Sequence, residues 1–314
     1  MIKYILSIII TIIPLMINAS GTSGFEFLRT DFSPRSSAMA GTYVAMQSDV
    51  NGLFHNPAGL ASASERQFMV NYMDHLLDFK GGSIGFSQQV ENVGRLSGAI
   101  IYFDYGNFAE TDEFAVSTGR NFGAADLAFA VSLSDYLEDR FAYGVTLKYA
   151  HSKIDVFTAS AFALDFGLIY EAPFQDDMFI GLSILNVGNT LSAFQSTKES
   201  LPLSINIGVS KKLEHLPLVL NVNLNNLNEV ENTILDRIEK FSIGGEFTLS
   251  SKLRLRLGYN NSLHKDLETA NGAGFSGVSL GLGIFVWENF IFDYGYSSMG
   301  DLGGLNRIGF SGTL

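Results

Sequence analysis

Residues 252–260 read KLRLRLGYN, so that Leu253, Leu255, Leu257 and Tyr259 alternate with Lys252, Arg254, Arg256, Gly258 and Asn260. Successive side chains of an extended strand point to opposite faces, which gives this stretch one greasy face and one charged face. The same period recurs elsewhere: Phe162, Leu164, Phe166, Leu168 and Tyr170 alternate with Ala161, Ala163, Asp165, Gly167 and Ile169, and Leu220, Val222 and Leu224 alternate with Asn221, Asn223 and Asn225. About fourteen such segments can be marked from residue 66 to residue 314, each near the roughly 9 to 11 residues that a tilted membrane strand requires. One face is large and apolar throughout, whereas the other is small, amide or charged. That pattern predicts lipid on the outside and a wet or filled interior, where a soluble sandwich would have a dry inner face.

The connections carry a second signal. Links after even-numbered segments are short, such as residues 250–251 and 287–288, whereas links after odd-numbered segments include the long stretches 105–124, 187–202, 228–239 and 263–273. Sorting by parity is expected of an outer-membrane barrel with both termini in the periplasm. Upstream, Lys3 precedes an apolar run that ends in Ile17-Asn18-Ala19, which predicts a signal peptide over residues 1–19. Residues 20–65 do not alternate, yet they are too apolar for an unfolded leader, so they are expected to form an N-terminal plug segment. Within it, Ser33-Pro34 predicts a helix start and Asn56-Pro57 a turn or second start. The expected organisation is therefore all-β: a transmembrane, antiparallel barrel over residues 66–314 with a plug inside.

Composition narrows the function. The chain has 314 residues, 32 of them Gly and 26 Phe, no Cys, and a net charge of −12, which disfavours nucleic acid as a partner. His55, His75, His151, His215 and His264 are scattered without ligand spacing, so no metal site, cofactor site or catalytic residue is expected, and the protein is not expected to be an enzyme. The inward charges Lys148, Asp165, Glu246, Arg254, Arg256, Asp293 and Arg307 are expected to pair with one another or with Asp31, Arg35 and Asp49 of the plug segment.

Several motifs carry a family resemblance. Phe25-Glu26-Phe27-Leu28, Ser33-Pro34-Arg35, Asp49 and the plug motif Asn56-Pro57-Ala58-Gly59-Leu60 resemble the opening of the PorV/PorQ family of FadL-like outer-membrane proteins. Tyr105-Gly106-Asn107-Phe108, Leu185-Asn186-Val187-Gly188 and Leu201-Pro202 are similar to its PorQ branch, whereas the final Gly312-Thr313-Leu314 departs from the terminal Phe common in bacterial barrels. The resemblance implies a fourteen-stranded FadL-like barrel that works with type IX secretion in the outer-membrane lipid, holding an exported PorZ-like partner at the cell surface. Tyr105, Phe108 and Phe194, aromatic residues in long links, are the candidate partner-loop anchors. The alternative is a FadL-type transporter with a hydrophobic ligand or lipid in the barrel.

Overall fold

The computed structural model describes residues 24–314 apart from 64, 196–197, 230–232 and 269–271, so the expected signal peptide lies outside the described residues. Fourteen strands close into one antiparallel barrel in which sequence neighbours pair and the last strand returns to the first. Closure removes the free edges that an open sheet would expose to lipid. The circuit begins with β1 (Gln67–Asp74) and β2 (Lys80–Val90). A tall wall follows: β3 (Gly94–Thr111), β4 (Ser117–Glu138), β5 (Phe141–Ile154), β6 (Phe157–Glu171) and β7 (Met178–Ser192). A lower wall completes it with β8 (Ser204–Lys212), β9 (Leu218–Leu224), β10 (Phe241–Thr248), β11 (Leu253–Asn260), β12 (Val278–Trp287), β13 (Phe290–Ser298) and β14 (Gly304–Thr313).

The two-residue period becomes an inside and an outside. On β6, Ala159, Ala161, Ala163 and Asp165 are buried, whereas Phe162, Leu164 and Leu168 are exposed. Leu220, Val222, Leu257, Leu280, Leu282, Phe292 and Ile308 continue that apolar exterior around the barrel, and such a surface is stable only against lipid. Within KLRLRLGYN, Arg256 lies opposite Glu246 and Arg254 opposite Thr248 on β10, with the leucines on the other face.

Residues 105–124 differ from the expected long link. β3 has 18 residues and β4 has 22, about twice what a crossing needs. Their ladder continues through Asn107 with Gly123, Phe108 with Phe122 and Ala109 with Asn121, leaving only residues 112–116 as the tip. Past the bilayer the ladder is helped by an Arg120 to Glu110 ion pair at 3.1 Å and a Phe108 to Phe122 ring contact, and no lipid selects one face, so the ribbon shows no hydrophobic alternation. Likewise β7 absorbs residues 187–192 of the link expected over 187–202.

Residues 24–63 run inside the barrel. A short helix, α1 (Pro34–Ala38), packs on β11 to β14; the turn Val50–Phe54 meets β1 and β2; the turn Pro57–Leu60 meets β4, β5 and β6. Ser33 caps α1 by accepting the backbone N–H of Ser36 at 3.2 Å, with Pro34 in the first turn where a missing N–H does no harm. The main apolar cores lie between this inner segment and the strands.

Candidate functional site

The wall meets the inner segment through glycines. A Cβ at Gly167 would stand 2.0 Å from Asn56 Oδ1, one at Gly144 2.4 Å from the Pro57 carbonyl carbon, one at Gly258 2.4 Å from the Ala40 nitrogen, and one at Gly295 2.6 Å from the Pro34 carbonyl oxygen. At Gly144, Gly258 and Gly295 only glycine lets two backbones approach, and at Gly167 it makes room for the Asn56 side chain. Asn56-Pro57-Ala58-Gly59-Leu60 sits against this seam: Asn56 Oδ1 accepts the Ala58 N–H at 3.0 Å, while its Nδ2 donates to the carbonyls of Val44, Leu168 and Leu182 at 2.7, 3.2 and 3.3 Å. Ser134 Oγ donates to the Pro57 carbonyl at 2.7 Å. A buried amide that joins its own turn, a neighbouring loop and two strands explains why this motif needs Asn in that place.

A charged cluster ties the segment to the lower wall. Arg35 of α1 donates to Glu246 of β10 at 2.8 and 2.9 Å and to Asp49 at 2.8 Å. Arg256 of β11 donates to the same Glu246 at 2.6 Å and to Asp293 of β13 at 2.5 Å. The Tyr43 hydroxyl donates to Asp49, whose other oxygen accepts from the Asn51 backbone and amide at 2.8 and 2.9 Å. Burial opposes charge on Asp49, but Arg35, Tyr43 and Asn51 outweigh it and hold the carboxyl below its ordinary value. Burial pushes the Tyr43 hydroxyl well up, Arg35 opposing and Asp49 adding, so Tyr43 remains a donor. A cavity of about 410 Å³ adjoins the cluster, lined in part by Arg35, Asp49, Glu246, Arg254, Arg256 and Asp293.

The remaining inward charges divide. Lys148 and Asp165 pair at 2.7 Å in full burial, and Lys148 also donates to Asn186 Oδ1 at 2.9 Å. Arg307 donates to the Asp31 backbone carbonyl at 2.6 Å. Arg254 joins no carboxylate among the described residues; it donates to the Ser250 carbonyl at 2.7 Å and stacks 5.0 Å from the Phe285 ring centre, near the β10 to β11 turn. Sequence reasoning missed Arg95, which is wholly buried and donates to the Ala63 and Glu65 carbonyls at 2.5 and 2.8 Å and to Ser87 at 2.9 Å. Its place on the same face as Ser97 and Ala99 was the available signal.

The opposite end of the lumen is apolar. Phe25, Phe27, Leu28 and Phe32 of the inner segment fill a chamber walled by Ala128, Ala150, Ala159, Ala161 and Ala163, with Leu201 closing over it. Two anchor candidates turn out to belong here: Tyr105, from β3 at its register shift with β4, and Phe194, from the link after β7, pack against this chamber, with the Tyr105 hydroxyl donating to Asp126 at 2.7 Å. Phe108 is 37% exposed and stays on the projecting hairpin. Among the described residues no His, Asp or Glu group gathers as a metal site.

A closed barrel with this exterior and this ion-lined, segment-filled interior is the architecture of outer-membrane proteins. The sequence matches no protein-family model and no curated protein. In fold it is similar to the toluene transporter TbuX of Ralstonia pickettii, with a TM-score of 0.62 at 13% identity over 90% of this chain and 98% of that one. It is also similar to the toluene transporter TodX of Pseudomonas putida (0.57, 11%, 88% and 95%) and to a FadL homologue of Pseudomonas aeruginosa (0.53, 10%, 93% and 98%). The chain therefore has the FadL-like barrel fold, and it is a protein of the bacterial outer membrane.

Proposed function

We propose that the protein is a non-enzymatic surface scaffold in which the inner segment acts as a plug, and that it serves a type IX secretion machinery in the PorQ manner by holding a PorZ-like exported partner. The observation that carries this reading is the closure of the lumen: backbone seated on glycines, a buried amide hub and a five-residue charge cluster all tie the segment to the wall. An interior fastened at so many points suits a rigid support better than a pore. The partner class comes from the resemblance of the motifs to the PorV/PorQ family. The decisive experiment is purification of the barrel from outer membranes in mild detergent, with bilayer conductance measured on the same sample. Co-purification of a secretion component and negligible conductance are expected; recovery with hydrophobic solute and no secretion component would overturn the reading.

A second reading rests on the phenylalanine and alanine chamber, which has the chemistry to receive a small hydrophobic molecule from outside. Solved barrels of similar fold include toluene transporters. Under this reading the chamber is the first binding station of a FadL-type conduit, and toluene uptake by vesicles carrying the barrel tests it.

A further inference from the structure

The barrel rim has two steps, one on each side of the tall wall. At the β7 step the ladder with β8 stops at Leu185 and Ser204, and the chain covers the edge itself: Asn186 Nδ2 donates to the Pro202 carbonyl at 3.1 Å and Thr190 Oγ1 to the Glu199 carbonyl at 2.6 Å. At the β3 step β2 stops with Lys80 opposite Asp104, while β3 runs on to Thr111 paired only with β4. Among the described residues no strand lies on the other side of residues 105–111. Natural edges are usually blunted with Lys, Pro or inward charge. This one reads Tyr-Gly-Asn-Phe-Ala-Glu-Thr, without Lys, Arg or Pro, and its register with β4 shifts between Asp104 and Asn107 and again between Ala109 and Thr111, so its regular stretch is residues 107–109.

Charge around the open edge is mixed with an acidic excess. Asp74 and Asp104 flank Lys80 in register, Asp78 lies in the adjoining turn, and Glu110, Asp112 and Glu113 stand towards the tip. The nearby cation Arg120 is already engaged, by Glu110 at 3.1 Å and Asp155 at 2.6 Å. In the adjoining turn Leu77 is 82% exposed, whereas Phe79 packs on the rings of Tyr105 and Phe108, and Phe108, 37% exposed, also packs on Phe122.

We propose that the open edge of β3 over residues 105–111 is the docking edge of the scaffold, and that its occupant is an extended, lysine- or arginine-bearing strand of the partner protein, added to the wall by backbone hydrogen bonds. A row of N–H and C=O groups with no partner strand among the described residues, of which the Gly106 N–H alone is bonded within the chain, to Asp104 at 2.9 Å, selects an extended strand, and the acidic surroundings select a basic one. The proposal rests on the scaffold reading and names the surface on which it acts.

The test uses the barrel in lipid nanodiscs and a labelled eight-residue peptide of alternating lysine and valine, followed by fluorescence polarisation. A second peptide carries N-methyl groups at alternate residues, which removes one edge of hydrogen bonds without changing the charge. Neighbouring residues of β3 send their N–H groups to opposite sides, so of Phe108→Pro and Ala109→Pro one disturbs the β4 ladder and the other only the free edge. Expected are saturable binding of the first peptide and a loss of at least tenfold on N-methylation. The proline variant that keeps the barrel's heat-resistant gel mobility should lose as much. Equal binding of both peptides, no binding at all, or dimers of the barrel formed through this edge would each overturn the proposal. If the edge variant still co-purifies with a secretion component, the edge is wrong and the scaffold stands; if the unaltered barrel co-purifies with none, the scaffold itself fails.

Discussion

Arg256→Leu is the sharpest test of the charge cluster. Facing register alone would value the Glu246 and Arg256 pair at about 0.2 to 1 kcal/mol, as for a cross-strand pair. The structure places the Arg256 side chain at 1% exposure with Asp293 at 4% and Glu246 at 9%. Glu246 keeps Arg35 when Arg256 is removed, but Asp293 is left without another ion-pair partner among the described residues. Orphaning a buried charge in this way costs about 3 to 5 kcal/mol. A lipid-facing charge such as Leu255→Arg costs roughly 2 to 4 kcal/mol near mid-membrane, so Arg256→Leu should destabilise at least as much. Urea titration in vesicles, read by circular dichroism and by gel mobility, measures both. The double variant Arg256→Leu with Asp293→Leu removes the orphan and should recover more than half of the loss. A single-variant loss below about 1 kcal/mol, or a double variant no better than the single, would refute the reasoning.

Further expectations concern the inner segment. Gly167→Val should leave the barrel folded but expel residues near Asn56, seen as new protease cleavage within residues 24–63, whereas Gly98→Ala, whose nearest atom would be 3.8 Å away, should change nothing. Asn221 is 1% exposed with neither amide atom partnered by the protein, so Asn221→Leu should cost less than about 1 kcal/mol, and a larger loss in urea titration would show that bound water satisfies the amide. Because the Asp49 carboxyl is held below its ordinary value of 3.8, its stabilising contact is present above that pH and is lost as pH falls through the lowered value. Hydrogen exchange over residues 35–52 should therefore stay slow from neutral pH to about 4 and rise only below; a rise between pH 5 and 7 would contradict this.

What the sequence made legible followed from faces. Alternation survives wherever a strand divides lipid from lumen, so the strands, their approximate limits and the register of KLRLRLGYN could be read locally. The ribbon over residues 105–111 and 117–124 could not, because outside the bilayer neither face is selected for grease and the ladder with a few cross-strand pairs holds it. Asn56-Pro57 was readable as a turn or helix start, since that signal is local, and the structure makes it a turn that Asn56 caps. Its partners at Leu168 and Leu182 were not, because nothing near Asn56 in the chain points to them. The inward glycines read as small lumen residues; that they are the bearing surface for a second backbone emerges only when the segment is in place.

The lumen is fastened by different forces at its two ends, and this bears on whether it can open. Phenylalanine against alanine in the outer chamber is non-directional packing, which side chains can rearrange to admit an apolar guest. The ionic end has discrete partners: if α1 and residue 49 leave together, the wall keeps Glu246 and Asp293 against Arg256 alone. One buried carboxylate is then uncompensated, at a cost of about 3 to 5 kcal/mol. By 1.4 kcal/mol per tenfold, this charge alone would hold unaided opening to no more than roughly one molecule in a hundred to one in a few thousand. A scaffold loses nothing by this, whereas a conduit would need a guest or partner whose binding energy exceeds that gap. The outer chamber can therefore fill without the inner seal parting, and hydrocarbon binding, if found, would not by itself establish passage.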